Sequence, residues 1–150
     1  MIDVPVDAAR ARYLADAVTT ATPARRIVLL YDRLWLDIQR AQAAQEAPDP
    51  AGRALWDGAE AAVRDHLQHA QQIVAELLGS LDQGAWAGAA DLAALYGYLL
   101  RELIAEAGAP RPGRLVLIGT IVSDLRATWQ QAAEQLAAPS EPAPDVVRVG

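Results

Sequence analysis

The chain has 150 residues, a net charge of −6 and no cysteine. A chain of this length suits one domain that buries roughly two-thirds of its unfolded surface, and the lack of cysteine excludes a disulfide framework, a thiolate zinc site and a cysteine nucleophile. All 13 basic residues are arginines scattered along the sequence, so a phosphate-binding surface for nucleic acid is not expected.

The first 19 residues are expected to form a leader segment that packs on the rest of the protein. Residues 8–18 can form a short helix with Tyr13, Leu14 and Val18 on its apolar side. Because so short a helix is marginal by itself, we expect it to act as a displaceable cap. The sequence has neither a signal-peptide pattern nor an apolar run of the roughly 20 residues that a membrane span needs, which predicts a soluble protein of the cytoplasm.

The first long helix is predicted to start at Thr22 and Pro23. The Thr22 hydroxyl can accept from a free backbone N–H, and proline lacks the N–H that the first helical position leaves unpaired. One apolar stripe is expected to face the core and comprises Ile27, Leu30, Tyr31, Leu34, Ile38 and Ala41. Leu29 and Leu36 project to nearly the opposite side, where a monomer offers no core to bury them.

Three more helices are predicted at about residues 51–78, 86–107 and 114–138, separated by segments rich in glycine and proline. Their expected core residues are Trp56, Ala59, Val63, Ala70, Ile73, Val74, Leu77, Leu92, Leu95, Tyr96, Leu99, Leu103, Ile118, Val122, Leu125, Trp129, Ala132 and Leu136. Short connections make consecutive helices antiparallel neighbours. The predicted fold is therefore an all-α, antiparallel up-down four-helix bundle over residues 1–138, followed by a disordered, proline-rich tail at residues 139–150.

Apolar residues that remain outside this predicted core indicate a partner surface. On the third helix two of them share a flank with the small residues Ala93 and Gly97, and on the fourth two lie beside Thr128. The predicted partner-binding residues are Leu29, Leu36, Leu100, Ile104, Leu117 and Ile121. The flanks of the third and fourth helices have an alternative interpretation, in which they merely widen the core.

The sequence contains no recognisable catalytic or metal-binding arrangement. His66 and His69 could share a metal ion, but two ligands are too few, and the Glu-x-x-His pairs of a di-iron bundle are absent. His69 lies off the core stripe and leaves open a histidine phosphotransfer bundle, although no lysine or glycine follows it one turn on. Ser80 and Ser123 have no base-and-orienter set or glycine-rich turn nearby. We expect no enzyme activity, no metal and no cofactor.

Five motifs occur in an order typical of one known family. They are Tyr13 followed by residues 18–23 (VTTATP), residues 29–32 (LLYD), residues 70–77 with 80–82 (AQQIVAEL and SLD), residues 95–98 (LYGY) and residues 125–129 (LRATW). In this series the chain resembles the FliS family of flagellar secretion chaperones. It departs from the family pattern at Thr22, where serine is usual, at Arg33, where glycine is common, and at Ala107 and Gly108, where an asparagine often ends the third helix.

The resemblance implies a cytosolic chaperone that binds the disordered C-terminal segment of flagellin, prevents premature polymerisation and delivers it to the flagellar type III export apparatus. The flagellin segment would fold into helices on the apolar outer grooves, and the leader around Tyr13 would occupy part of the same surface. An export-gate component and a regulatory cochaperone are further candidate partners. The alternatives from other classes are a self-associating structural bundle, such as a homodimer, and a histidine phosphotransfer bundle.

Overall fold

The computed structural model describes residues 23–46 and 53–137, with side chains described throughout except at residues 53–57. Over these ranges the chain forms four α-helices and no strand. The helices are α1 (Pro23–Glu46), α2 (Arg53–Ser80), α3 (Ala89–Gly108) and α4 (Arg114–Ala137). The predicted all-α four-helix fold is therefore confirmed.

Part of the prediction lies outside the described residues. This holds for the leader with its cap residues Tyr13, Leu14 and Val18, and for the tail from residue 139 onward. Among the helices that are described, none has the length and apolar character needed to cross a membrane.

One helix boundary differs clearly from the prediction. Helix α1 begins at Pro23 as predicted and ends at Glu46. Helix α3 begins at Ala89, later than predicted, since the preceding residues form a turn in which the Ala89 N–H donates to the Trp86 carbonyl at 3.1 Å. The Trp86 ring lies so close to Gly88 that a Cβ there would overlap it.

The helices follow one another around the bundle in an up-and-down order. Helix α1 packs on α2 and α4, α3 packs on α2, and the α3–α4 contact is the sparsest of the four. Asp32 on α1 contacts Arg126 on α4, whereas Ile38, later on α1, lies against Gly119, earlier on α4. Contacts that advance along one helix while receding along the other show that these neighbours are antiparallel, as predicted.

Each helix contributes one stripe to a single apolar core. Its buried members are Tyr31, Leu34, Ile38, Ala41, Val63, Leu67, Ala70, Ile73, Val74, Leu77, Leu92, Tyr96, Leu99, Leu103, Leu115, Ile118 and Val122. Leu67, Leu115 and, beside the cluster, Val28 are buried without having been predicted, because a neighbouring helix covers the edge of each stripe. Several predicted core residues are only half-buried, namely Ile27, Leu30, Ala59, Leu95, Leu125, Trp129 and Ala132.

The prediction that Leu136 faces the core is wrong, because its side chain is 77% exposed. The antiparallel register explains the exposure. Since Asp32 lies beside Arg126, moving along α4 to Leu136 carries the register back past Pro23, where α1 begins. No residue of the described α1 therefore covers this last turn of α4. The side chain of Trp56, another predicted core residue, is outside the described residues.

Candidate partner-binding site

The predicted flank of α3 forms an apolar row on the side that faces α2. Leu100 is half-buried and packs on the core, while Ile104 is 53% exposed. Ala107, the next residue of the row, lines a cavity of about 350 Å³ together with Ala59 and Val63 of α2. We refer to Leu100, Ile104 and Ala107 as the α3 row, and Ile104 is its most exposed member.

The predicted flank of α4 lies on the side that faces α3. Ile121 is half-buried against the core and Leu117 is 50% exposed. Arg114, one turn before Leu117, forms an ion pair with Glu102 of α3. This ion pair shows that the flank of α4 faces α3. Val116, beside Leu117, is also 50% exposed; it was not predicted, since it falls outside the helical spacing of that flank.

Leu29 and Leu36 lie on the outer face of α1. Both are half-buried, yet neither is among the side chains that pack on the core cluster. The six predicted residues therefore occupy three places: the outer face of α1, the α2 side of α3 and the α3 side of α4. The structure does not gather them into one groove.

A buried aromatic group joins three helices beneath these surfaces. The hydroxyls of Tyr31 on α1 and Tyr96 on α3 are 2.7 Å apart, with ring centroids separated by 6.5 Å. Burial raises the pKa of both phenols, and a side-chain hydrogen bond from Trp129 on α4 acts on each in the opposite direction. Both hydroxyls are thus neutral and satisfied, and the three residues come from three of the sequence motifs named above.

A second motif contact ties α1 to α4. The Nε of Arg126 donates to Asp32 Oδ1 at 2.6 Å, and its guanidinium lies over the Trp35 ring, 5.2 Å from the centroid. Its position between a carboxylate and an indole uses both the charge and the planar face of arginine. These motif residues therefore hold α1, α3 and α4 in register.

Asp37 is a buried carboxylate that the sequence analysis missed. Its side chain is 1% exposed; one oxygen contacts His69 Nδ1 and lies 3.6 Å from Arg33 Nε, and the other lies 3.8 Å from His66 Nδ1. The two histidines three residues apart on α2 are the feature of the sequence that could have indicated a carboxylate partner. The side chain of His69 is 42% exposed, and its Nδ1 is engaged by Asp37. No metal-holding group occurs within the part of the chain described.

Glu106, also buried, has a structural role at one end of the bundle. Its carboxylate accepts from Gln45 Nε2 at 3.0 Å and from the Arg111 backbone N–H at 3.1 Å. Both donors lie at helix ends or connections, so the charge stabilises the junction of α1 with the α3–α4 connection.

A second cavity, of about 310 Å³, opens between α1 and α4. It is walled by Trp35 and Gln39 on α1 and by Thr120, Ser123 and Asp124 on α4. No histidine lies beside these hydroxyl and carboxyl groups, and the cavity is open and mixed in polarity. It offers packing space rather than a reaction centre.

The family model described as flagellar protein FliS matches residues 6–136 of the chain. This range covers all four helices except Ala137, the last residue of α4, and includes each of the three apolar surfaces. No curated protein gives a significant match.

Proposed function

This chain belongs to the FliS family of flagellar proteins, and from that premise we propose that it is a cytosolic chaperone for the C-terminal segment of flagellin. The family is one of flagellar export chaperones and is not enzymatic. In the proposed cycle the protein keeps flagellin from polymerising prematurely and delivers it to the type III export apparatus. The observation that carries the proposal is the set of half-exposed apolar side chains on α3 and α4.

Ile104, Val116 and Leu117 each expose about half of their surface. Full burial of such a side chain contributes roughly 1.5 to 3 kcal/mol, so covering the exposed half of each one is a substantial gain. An amphipathic helix, with apolar residues three and four positions apart, is the chain segment that fits a surface such as the α3 row. A client that is disordered when free offsets part of that gain by its ordering cost, which keeps the complex reversible.

The placement of the six predicted residues supports a client that extends around the bundle. Leu29 and Leu36 lie on α1, whereas the α3 row faces α2 and the flank of α4 with Leu117 and Ile121 faces α3. One straight helix does not reach all three surfaces. We infer that the client contacts the bundle through more than one segment.

The leader is proposed to cover part of this surface until the client displaces it. Tyr13, Leu14 and Val18 supply the apolar side chains for such a cap. Because the cap and the client would compete, removing the leader should raise the apparent affinity for the client. An export-gate component and a regulatory cochaperone remain candidate partners.

The test is calorimetric titration of the full chain with a peptide of the C-terminal segment of flagellin from the same genome. We expect one-to-one binding with a strongly negative heat-capacity change, the signature of folding coupled to apolar burial. Replacing Ile104 with Asp should weaken binding at least about tenfold, because it places a charge on apolar contact surface. Ile104 is more exposed than Leu100, so its replacement leaves the core intact.

Ala105→Asp is the matched control, since it adds the same charge at an adjacent exposed position of α3 outside the α3 row. Equal losses in both variants would assign the effect to charge alone. A folded wild-type protein that binds no peptide would contradict the proposal. A tight symmetric dimer that ignores the peptide, detected by light scattering, would favour the self-associating bundle instead.

A further inference from the structure

Arg101 is the one basic residue of α3, and helix geometry gives it no carboxylate partner on its own helix. The residues one turn away on either side are Gly97, Tyr98, Ile104 and Ala105. None of them carries a negative charge, so the usual pairing of residues three or four apart is unavailable. In a chain of net charge −6, acidic residues outnumber basic ones, so an exposed arginine normally has a carboxylate within reach.

The carboxylates nearest to it in sequence are already engaged by other groups. Glu102 pairs with Arg114 of α4, and Glu106 accepts from Gln45 and from the Arg111 backbone. Within the described residues Arg101 makes no ion pair. Among the described residues, therefore, no group compensates the positive charge of the Arg101 guanidinium on the outer face of α3.

Its side chain lies next to the α3 row. The Arg101 Nη1 atom is 3.4 Å from the position that a Cβ on Gly97 would occupy, which shows that the side chain folds back along the helix over that glycine. Leu100 precedes it and Ile104, 53% exposed, follows one turn later. A cation thus borders an apolar strip that is open to a second chain.

We propose that Arg101 binds a carboxylate of the client, so that the segment docked on the α3 row carries an Asp or Glu beside its apolar anchors. This inference rests on the proposed function and names the chemistry that the client must present. Apolar contact supplies affinity, whereas a charge at the edge of the contact selects partner and register. An acidic amphipathic helix satisfies both requirements, and a basic or uncharged one does not.

The experiment is titration of wild-type protein, Arg101→Gln and Arg101→Glu with the C-terminal flagellin peptide. Arg101→Gln should weaken binding about threefold to tenfold, as expected for loss of a charge-assisted hydrogen bond at a partly exposed site, and Arg101→Glu should weaken it further. The difference between wild type and Arg101→Gln should shrink as salt rises. Arg26→Gln is the matched control, because Arg26 is an exposed arginine of α1, on a different helix from the α3 row.

Peptides in which each Asp or Glu is replaced by Asn or Gln in turn identify the partner carboxylate. One such replacement should weaken binding to wild type by the same factor as Arg101→Gln and should cost nothing further in that variant. Circular dichroism and thermal unfolding check that each variant is folded. Additive losses for every acid, or wild-type affinity of Arg101→Gln, would overturn the inference.

The outcomes separate this inference from the proposed function. If Ile104→Asp abolishes binding while Arg101→Gln has no effect, the chaperone proposal stands and the carboxylate contact is wrong. If wild-type protein binds no peptide at all, both are wrong.

Discussion

Asp37 places a carboxylate inside the α1–α2 interface, where the energetics depend on which partner is removed. His69 contacts one oxygen, while Oδ1 accepts no hydrogen bond within the described structure. A buried charge that loses a partner is more costly than a half-exposed group that regains water. The side chain of His69 is 42% exposed and that of Asp37 is 1% exposed, so the two deletions are not equivalent.

We therefore expect His69→Ala to lower the free energy of unfolding by about 2 kcal/mol, and Asp37→Asn to lower it by less. Urea unfolding at neutral pH measures both. In the double variant the loss should fall below the sum of the two single losses, because the buried charge is gone. A larger loss for Asp37→Asn than for His69→Ala would show that the carboxylate stabilises the fold outright.

At the scale of the helix, α4 is bounded and positioned by two glycines with different requirements. Gly113, just before the helix, has a φ of 76° and its carbonyl accepts the Leu117 N–H at 3.2 Å. Only glycine adopts this left-handed conformation without a steric penalty. Gly119 is inside α4, and a Cβ there would lie 3.5 Å from Ile38 Cγ2, an ordinary contact distance.

Opposite effects of alanine follow at the two positions. Gly113→Ala should destabilise the protein by about 1 to 2 kcal/mol, whereas Gly119→Ala should stabilise it by up to about 1 kcal/mol through helix propensity. Thermal unfolding of both variants under the same conditions provides the measurement. A loss of stability in Gly119→Ala would mean that α1 and α4 cannot adjust their spacing to accommodate the added methyl group.

Helix α3 is held more firmly on one side than on the other. It packs along α2, where Gln71 Nε2 donates to the Leu103 carbonyl at 3.3 Å, and contacts α4 sparsely. The Glu102–Arg114 ion pair bridges that sparse side. The helix that carries the α3 row is thus anchored by its α2 side, while its α4 side leaves room beside Leu117.

At the scale of the molecule, the buried phenols of Tyr31 and Tyr96 connect α1 with α3 across the bundle. Burial raises the pKa of both above that of a solvated tyrosine. A raised pKa of an acid means that the unfolded chain loses its proton first as pH rises. The stability contribution of these phenols is therefore complete below about pH 10, the ordinary tyrosine pKa, and is lost above it.

We expect the free energy of unfolding to fall above about pH 10 by up to about 1.4 kcal/mol per pH unit for each phenol. The Tyr31→Phe/Tyr96→Phe double variant should lose this alkaline dependence, although it starts from a lower stability because the hydroxyl contact is gone. Urea unfolding between pH 8 and pH 11 would measure the slopes. Equal slopes in wild type and double variant would place the alkaline titration in other groups.

The sequence by itself determined the number and approximate limits of the helices, because helical spacing and the glycine and proline breaks are local properties. It also identified Leu34, Ile38, Leu99 and Ile118 as core, since each lies at the centre of its apolar stripe. The family resemblance, carried by short motifs, was confirmed by the match over residues 6–136.

Only the tertiary structure decided what lies beside each stripe. Leu67 and Leu115 are buried and Leu136 is exposed because the offset between antiparallel helices sets which neighbour covers a flank, and that offset depends on residues far apart in sequence. For the same reason the sequence did not reveal the buried carboxylate of Asp37, because its histidine partners belong to another helix. The partner residues on α3 and α4 were predicted one helix at a time, and their division between two sides of the bundle follows from how the helices pack.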